Sequence, residues 1–169
     1  QLIPQTKTVG LLYTSGELNS ALIAKAMRTE LEKRGIAVSD CTISSETDLP
    51  TVIEHASRKS DVILCPTDNT VASCIKLIAT TCLNHNKPLI VSDNLLVAQG
   101  PLAARGVDYY ESGKAVATIA LQVLTQKIRP CDLPIKNAKT EKIVINQTTL
   151  KILGLTVPEA LQTDVALIS

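Results

Sequence analysis

The stretch Thr8-Val9-Gly10-Leu11-Leu12-Tyr13, running into the polar turn Thr14-Ser15-Gly16-Glu17-Leu18-Asn19-Ser20, decides the architecture. Its first six residues are apolar almost throughout, the pattern of a strand buried on both faces, as in parallel sheets covered by helices. From about Asn19 to Lys33, Leu22, Ile23, Ala26, Met27 and Leu31 recur at helical spacing, with Glu30 and Arg34 on the same stripe, and Gly35 stops the run. A doubly apolar strand followed at once by a helix is one βα unit.

The rest of the chain repeats that unit. Ile36 to Cys41 reads as a second strand, and Asp48 caps a short helix to about Ser57 with Leu49, Val52, Ile53 and Ala56 on one face. Asp61 to Cys65 is a third strand, stopped by Pro66, and a helix from about Asn69 to Asn84 buries Val71, Ile75, Leu77, Ile78 and Cys82. Lys87-Pro88 opens a fourth strand at Leu89-Ile90-Val91, and Ala103 to Val107 makes a fifth. The helix from about Asp108 to Gln126 carries Val116, Ile119, Ala120, Val123 and Leu124 as its buried face. Arg129 to Pro134 is a linker, Lys142 to Ile145 one more strand, and Thr148 to Leu153 a short helix ended by Gly154. This alternation predicts an α/β fold of three layers around a parallel sheet in flavodoxin-like order.

The 169 residues, 45% hydrophobic and 20% charged, suit one ordinary globular domain. A formal charge of +1 supplies no field for a phosphate backbone or an anionic membrane, which argues against nucleic acid as a partner. With three Tyr, no Phe and no Trp, the core must be built from Leu, Ile, Val and Ala. No run approaches the roughly 18 apolar residues of a membrane span. The opening Gln1-Leu2-Ile3-Pro4 has neither an initiator Met nor the form of a signal peptide, as expected of a mature or trimmed chain. The five cysteines, Cys41, Cys65, Cys74, Cys82 and Cys131, lack CxxC or metal-type spacing, and Cys74 and Cys82, eight apart in a helical stretch, read as small buried thiols.

In such sheets function lies at the carboxyl ends of the strands, where the strand order reverses. Three polar clusters fall there: Ser15, Asn19 and Ser20 after the first strand, Thr67, Asp68 and Asn69 after the third, and Ser92 and Asp93 after the fourth. Backbone N–H groups at a helix amino end, joined by Asn19 and Ser20, suit a carboxylate or phosphate oxygen. Asp68 or Asp93 opposite them suits an ammonium group, because a carboxylate only accepts. Together they describe a holder for a zwitterion such as an amino acid. Asn19, Asp68 and Asn69 also serve as helix caps wherever they stand before a helix, and the two roles are compatible.

Catalytic signals are weak. The chain has no G-x-S-x-G elbow, no phosphate-binding G-x-x-x-x-G-K-[ST] loop and no G-x-G-x-x-G. Cys65 at a strand end would be a nucleophile only if His55 or His85 approached it, and both fall toward the carboxyl ends of helices, away from that rim. No metal, cofactor or catalytic residue is implied.

The ordered segments Val9 to Ser20, Cys65-Pro66-Thr67-Asp68-Asn69-Thr70-Val71-Ala72-Ser73, Val91-Ser92-Asp93, Gly106-Val107-Asp108-Tyr109-Tyr110-Glu111-Ser112-Gly113, Leu133-Pro134-Ile135, Ile145-Asn146 and Leu153 to Pro158 resemble the ABC-transporter substrate-binding proteins of the tryptophan/tyrosine type. The resemblance covers about residues 8 to 158. It implies one lobe of a type I periplasmic-binding-protein fold over 8–107, a crossover helix and linker over 108–135, a returning strand and helix over 140–158, and a tail over 159–169. It also implies a non-catalytic receptor for a small ligand, commonly an aromatic or other amino acid, working outside the cytoplasm, membrane-anchored in its full-length form and paired with an ABC permease.

Carried over position by position, the resemblance gives Asn19 and Ser20 to the ligand carboxylate, Thr67, Asp68 and Asn69 to the pocket floor, and Asp93 to the ammonium, with Tyr109 and Tyr110 near the hinge. Where the family often shows Asn-Pro-Ser, this chain has Tyr13-Thr14-Ser15-Gly16, so Gly16 loosens the turn that carries Ser15 and Glu17. Family members also carry another α/β lobe before the segment that begins here. The chain is thus expected to lack the amino-terminal lobe and to leave the apolar face of its crossover helix exposed, open to a homodimer contact. A sensor or regulatory module of the same fold, or a site for a sugar or purine, is the alternative.

Overall fold

In the computed structural model of the chain, residues 2–135 and 142–169 are described. The elements run β1 (Thr8–Thr14), α1 (Leu18–Glu32), β2 (Ala37–Ile43), α2 (Leu49–Lys59), β3 (Val62–Cys65), α3 (Asn69–Ser73), α4 (Ile75–Asn84), β4 (Leu89–Val91), β5 (Ala103–Ala104), α5 (Tyr109–Gln126), β6 (Ile143–Asn146), α6 (Gln147–Ile152) and β7 (Val165–Ile168). They build one sheet in the order β2-β1-β3-β4-β5-β6-β7. The first five strands are parallel in flavodoxin-like order, so the order reverses between β1 and β3.

The alternation of side chains along each strand divides the core between two faces. Val9, Leu11, Val62, Leu64 and Ile90 meet Ala24, Met27 and Leu31 of α1 on one side. Leu12, Ile43, Ile63, Cys65, Leu89 and Val91 meet Ile53 and Ala56 of α2 and Ile75, Ile78 and Cys82 of α4 on the other. Leu11, Leu12, Ile53, Ile63, Ile78 and Leu102 are wholly buried, each stabilising the fold by about 1.5–3 kcal/mol. With so few rings, density comes from branched aliphatic side chains interlocking across the two layers.

Several expectations are corrected. The sheet-facing stripe of α1 is rotated: Ser20 and Ala24 are buried, whereas Leu22, Ala26, Glu30 and Arg34 lie toward solvent. Buried Ser20, held by a hydrogen bond to Asp68, fixes that rotation. The stretch 69–84 is two helices meeting at Cys74, where the Ser73 hydroxyl bonds back to Thr70 O at 2.7 Å and to Glu46 Oε1 at 2.8 Å. Leu77 of α4 is 46% exposed rather than buried. Asp48 does not cap α2; its carboxylate accepts from the N–H groups of Ser44 and Ser45 and closes the 3-10 turn Glu46–Asp48 that leads into it.

The fifth strand is cut to Ala103–Ala104, because Gly106 N donates instead to Asn94 Oδ1 at 2.9 Å. The returning strand, Ile143–Asn146, pairs antiparallel to β5. The segment 159–169 is no tail: a 3-10 turn over Glu159–Asp164 leads to β7, parallel to β6. The linker holds a 3-10 turn at Pro130–Asp132, tied by Arg129 to Asp132. The opening of the segment expected over 140–158 lies outside the described residues at 140 and 141. A helix, α5, stands over the expected stretch, but none of its residues is buried, and Val116 (65%) and Leu124 (76%) are exposed.

Candidate functional site

A cleft of about 150 Å³ opens at the carboxyl ends of β3 and β4, lined by Cys65 to Asn69, Val71, Ala72, Val91 to Asp93, Leu96 and Tyr109. Its position follows from the topology. The turns leaving β1 and β3 rise side by side where the strand order reverses, and the turn leaving β4 stands next to them.

Asp68 joins the first two turns. Its carboxylate, 4% exposed, accepts from Thr14 N (2.7 Å), Thr14 Oγ1 (2.8 Å), Ser20 Oγ (2.7 Å) and Val71 N (2.9 Å). Burial alone would raise this carboxyl, but the donors from Val71, Thr14 and Ser20 outweigh it and hold it below the ordinary aspartate range. Asp68 and the fully buried Ser20 are thus committed to one another, and the turns are fixed by an anion shared between them.

The other expected residues are placed as follows. Asn19 is exposed and donates from Nδ2 to Thr67 O at 3.3 Å, which sets the uncapped first turn of α1 beside the cleft wall. Thr67 and Asn69 are exposed on that wall. Ser92 lines the cleft and donates to Cys65 O at 3.3 Å. Asp93 caps the 3-10 turn Asn94–Gln99 through Oδ1, which accepts from Leu95 N at 2.9 Å, and Oδ2 takes no hydrogen bond among the described residues. Tyr109, 62% exposed, forms the margin at the start of α5. Ser15 stands apart: it is exposed, bonds Ile43 O at 3.3 Å and does not line the cleft.

Glu17 has a larger part than the sequence suggests. Its carboxylate accepts from Asn69 N and Thr70 N at the start of α3, from the Thr70 hydroxyl and from Asn69 Nδ2. The signal in sequence is only a Glu in a turn; its partners lie more than fifty residues away.

The cleft lacks the parts of a thiol nucleophile. Burial pushes the Cys65 thiol well above its usual value, with Cys82, Asp68 and Cys41 adding to the rise, opposite to the shift that activates a cysteine. His85 is bound to Glu54 at 2.9 Å and His55 is exposed on α2; neither lines the cleft. Burial pushes Cys82 up to about 12. A thiol-reactive disulfide dye should therefore label exposed Cys131 quickly in the native protein and reach Cys65 and Cys82 only on unfolding. Fast native labelling of Cys65, followed by mass spectrometry, would reinstate it as a reactive group. Among the described residues, no group of three or more His, Cys, Asp or Glu could hold a metal ion.

The family model described as ABC transporter substrate binding protein matches residues 1–166. The chain is 29% identical over 154 residues to the tyrosine-binding protein of Clostridioides difficile (strain R20291), spanning 91% of this chain and 44% of that protein. Among solved structures, it superimposes with a TM-score of 0.87 and 30% identity on an ABC domain from Streptococcus pneumoniae in complex with L-Trp, covering 99% of this chain and 57% of that one. A ligand-free, open substrate-binding protein with adhesive properties from Clostridium difficile gives a TM-score of 0.82 at 27% identity, covering 99% and 56%. The chain spans about half the length of the curated relatives it matches.

Proposed function

The chain belongs to the family of ABC transporter substrate-binding proteins, and from that premise we propose that it forms one wall of a site that captures an amino acid, most suitably an aromatic one. Capture involves no chemistry on the ligand, and the bound amino acid is passed to the permease of an ABC importer. The ligand carboxylate meets the uncapped first turn of α1 and the Asn19 amide, and the ammonium meets Asp93. Thr67, Asn69 and Ser92 form the polar edge between them. Val71, Ala72, Val91 and Leu96 supply the apolar floor, and Tyr109 flanks the ligand side chain.

The observation that carries this reading is that Asn19 ties the uncapped first turn of α1 to Thr67, on the wall of the cleft that Asp93 lines with an oxygen that takes no hydrogen bond among the described residues. The names of the similar proteins support it, one for tyrosine and one holding L-Trp.

The cleft is smaller than the roughly 300–1,000 Å³ of ordinary ligand pockets. A second wall therefore closes on the ligand, and it supplies the rings for which this chain has too few. The exposed apolar residues of α5 pack on that second wall, or on a second copy of the chain where the wall is absent. Delivery to an importer places the working protein outside the cytoplasm, held at the membrane by a part other than the described helices, none of which is long and apolar enough to cross it.

Titration calorimetry of the full-length protein with Trp, Tyr, Phe and Leu should show binding of at least one. Asp93→Asn should weaken it about tenfold or more, the loss of one charge-assisted hydrogen bond. Heat from a sugar or purine and from no amino acid would overturn the assignment.

A further inference from the structure

The turns after β1 and β3 exchange carboxylates. Asp68 reaches back to Thr14 and Ser20, and Glu17 reaches forward to Asn69 and Thr70. The two halves differ in burial. Asp68 and its partners are closed off from water, whereas Glu17 is half-buried and Asn69 exposed. Folding thus depends on Asp68 far more than on Glu17.

The Glu17 half has a chemical consequence for the cleft. An asparagine amide carries donors at its nitrogen and an acceptor at its oxygen, and a carboxylate can only accept. The amide of Asn69 must therefore meet Glu17 through nitrogen, as it does at 3.2 Å from Nδ2 to Oε2. This orientation leaves Oδ1 as the end of the amide with no hydrogen bond among the described residues. Asn69 lines the same cleft as Asp93, whose Oδ2 is also without one.

We infer that Glu17 is a positioning residue that fixes Asn69 as an acceptor, so that Asn69 Oδ1 and the Asp93 carboxylate together form the seat for the ligand's ammonium. The inference rests on the zwitterion reading given above and deepens it. An ammonium has three donors, and one aspartate oxygen satisfies only one of them. A neutral amide oxygen adds a second acceptor without setting two carboxylates against each other. Without Glu17, the amide is free to turn by half a rotation and set its own N–H groups against the ammonium.

The test compares tryptophan with indole-3-propionate, which has the same ring and carboxylate and lacks the amine, on the full-length protein by calorimetry. The wild type should prefer tryptophan. Glu17→Ala should lose about tenfold of that preference with a far smaller drop in melting temperature than Asp68→Ala, because Asn69 is exposed and Thr70 only half-buried, so water reaches the donors left behind. Adding Asn69→Asp to Glu17→Ala should restore the preference, since a carboxylate accepts in either orientation and an ammonium between the two carboxylates offsets their repulsion, whereas indole-3-propionate does not. Unchanged preference in Glu17→Ala, equal weakening of both ligands, or no rescue would overturn the role of Glu17. A wild type that binds neither compound would instead remove the amino-acid reading beneath it.

Discussion

Replacing Asp68 by alanine should lower the unfolding free energy by about 3–5 kcal/mol, a large part of the roughly 5–15 kcal/mol that holds a domain of this size. The effect is large because the substitution leaves four donors behind. Thr14 and Ser20 are 5% and 0% exposed, and Val71 is 1% exposed, so their hydroxyl and N–H groups have little water to turn to. A buried donor without a partner costs about 1–3 kcal/mol, and some of these will be relieved by local opening. Urea unfolding of the two proteins at neutral pH measures the difference. A loss under about 1 kcal/mol would mean that the turns are held by other contacts. Asp68→Asn should fall between, since an amide offers one accepting oxygen where the carboxylate offers two.

The same carboxylate sets an acid dependence. The folded pKa of Asp68 lies below the ordinary value, whereas in the unfolded chain it titrates near about 3.9. The stabilisation is therefore complete above that unfolded value. As pH falls through the window between the two, the unfolded chain takes up a proton that the folded one refuses, and stability drops. Wild type should lose stability through this range more steeply than Asp68→Ala, and the gap between them should narrow.

The fold was legible where burial alone decides. Thr8 to Tyr13 and Asp61 to Cys65 are apolar on both sides because helices cover both faces, and that pattern needs no knowledge of partners. Thr67, Asn69, Ser92 and Asp93 could be placed at one rim from the strand order expected of such a sheet. The rest depended on contacts that sequence spacing does not record. Nothing local distinguishes Ser20, wholly buried against an aspartate 48 residues on, from a solvated serine in a first helical turn. Leu22 is apolar and yet faces water, because the Ser20 contact rotates α1 away from it. Val165–Ile168 is short and only half-buried, so its pattern is faint until β6 is there to pair with it. The apolar period of α5 was readable, but a period does not say what the face packs against.

Gly100→Ala should destabilise the protein by about 3 kcal/mol or more, from two separate sources. Gly100 has φ 125° and ψ −26°, a backbone conformation that side chains rarely adopt, and forcing alanine into it costs about 1–3 kcal/mol. The added Cβ would also stand 2.7 Å from the Cβ of Ala79, itself buried in α4 and unable to swing aside. Overpacking of that kind adds about 1–3 kcal/mol. The chain cannot relax freely here, because Gly100 N donates to Val97 O within the turn and Gly100 O accepts from the Thr149 hydroxyl at 2.8 Å, tying the turn to α6. Gly100 also closes the 3-10 turn that begins after Asp93 and carries Leu96, so the strain reaches two residues that line the cleft. Thermal melts and tryptophan titration of Gly100→Ala should thus move together. Gly113→Ala, where a Cβ meets nothing within 4 Å in the exposed helix α5, is the control and should leave stability unchanged or slightly raised. Adding Ala79→Gly to Gly100→Ala removes the clash and leaves the backbone strain, so a partial recovery, measured against Ala79→Gly alone because a glycine inside α4 carries its own cost, divides the two sources. Full recovery would show that the unusual φ carries no cost, and none would show that the clash does not.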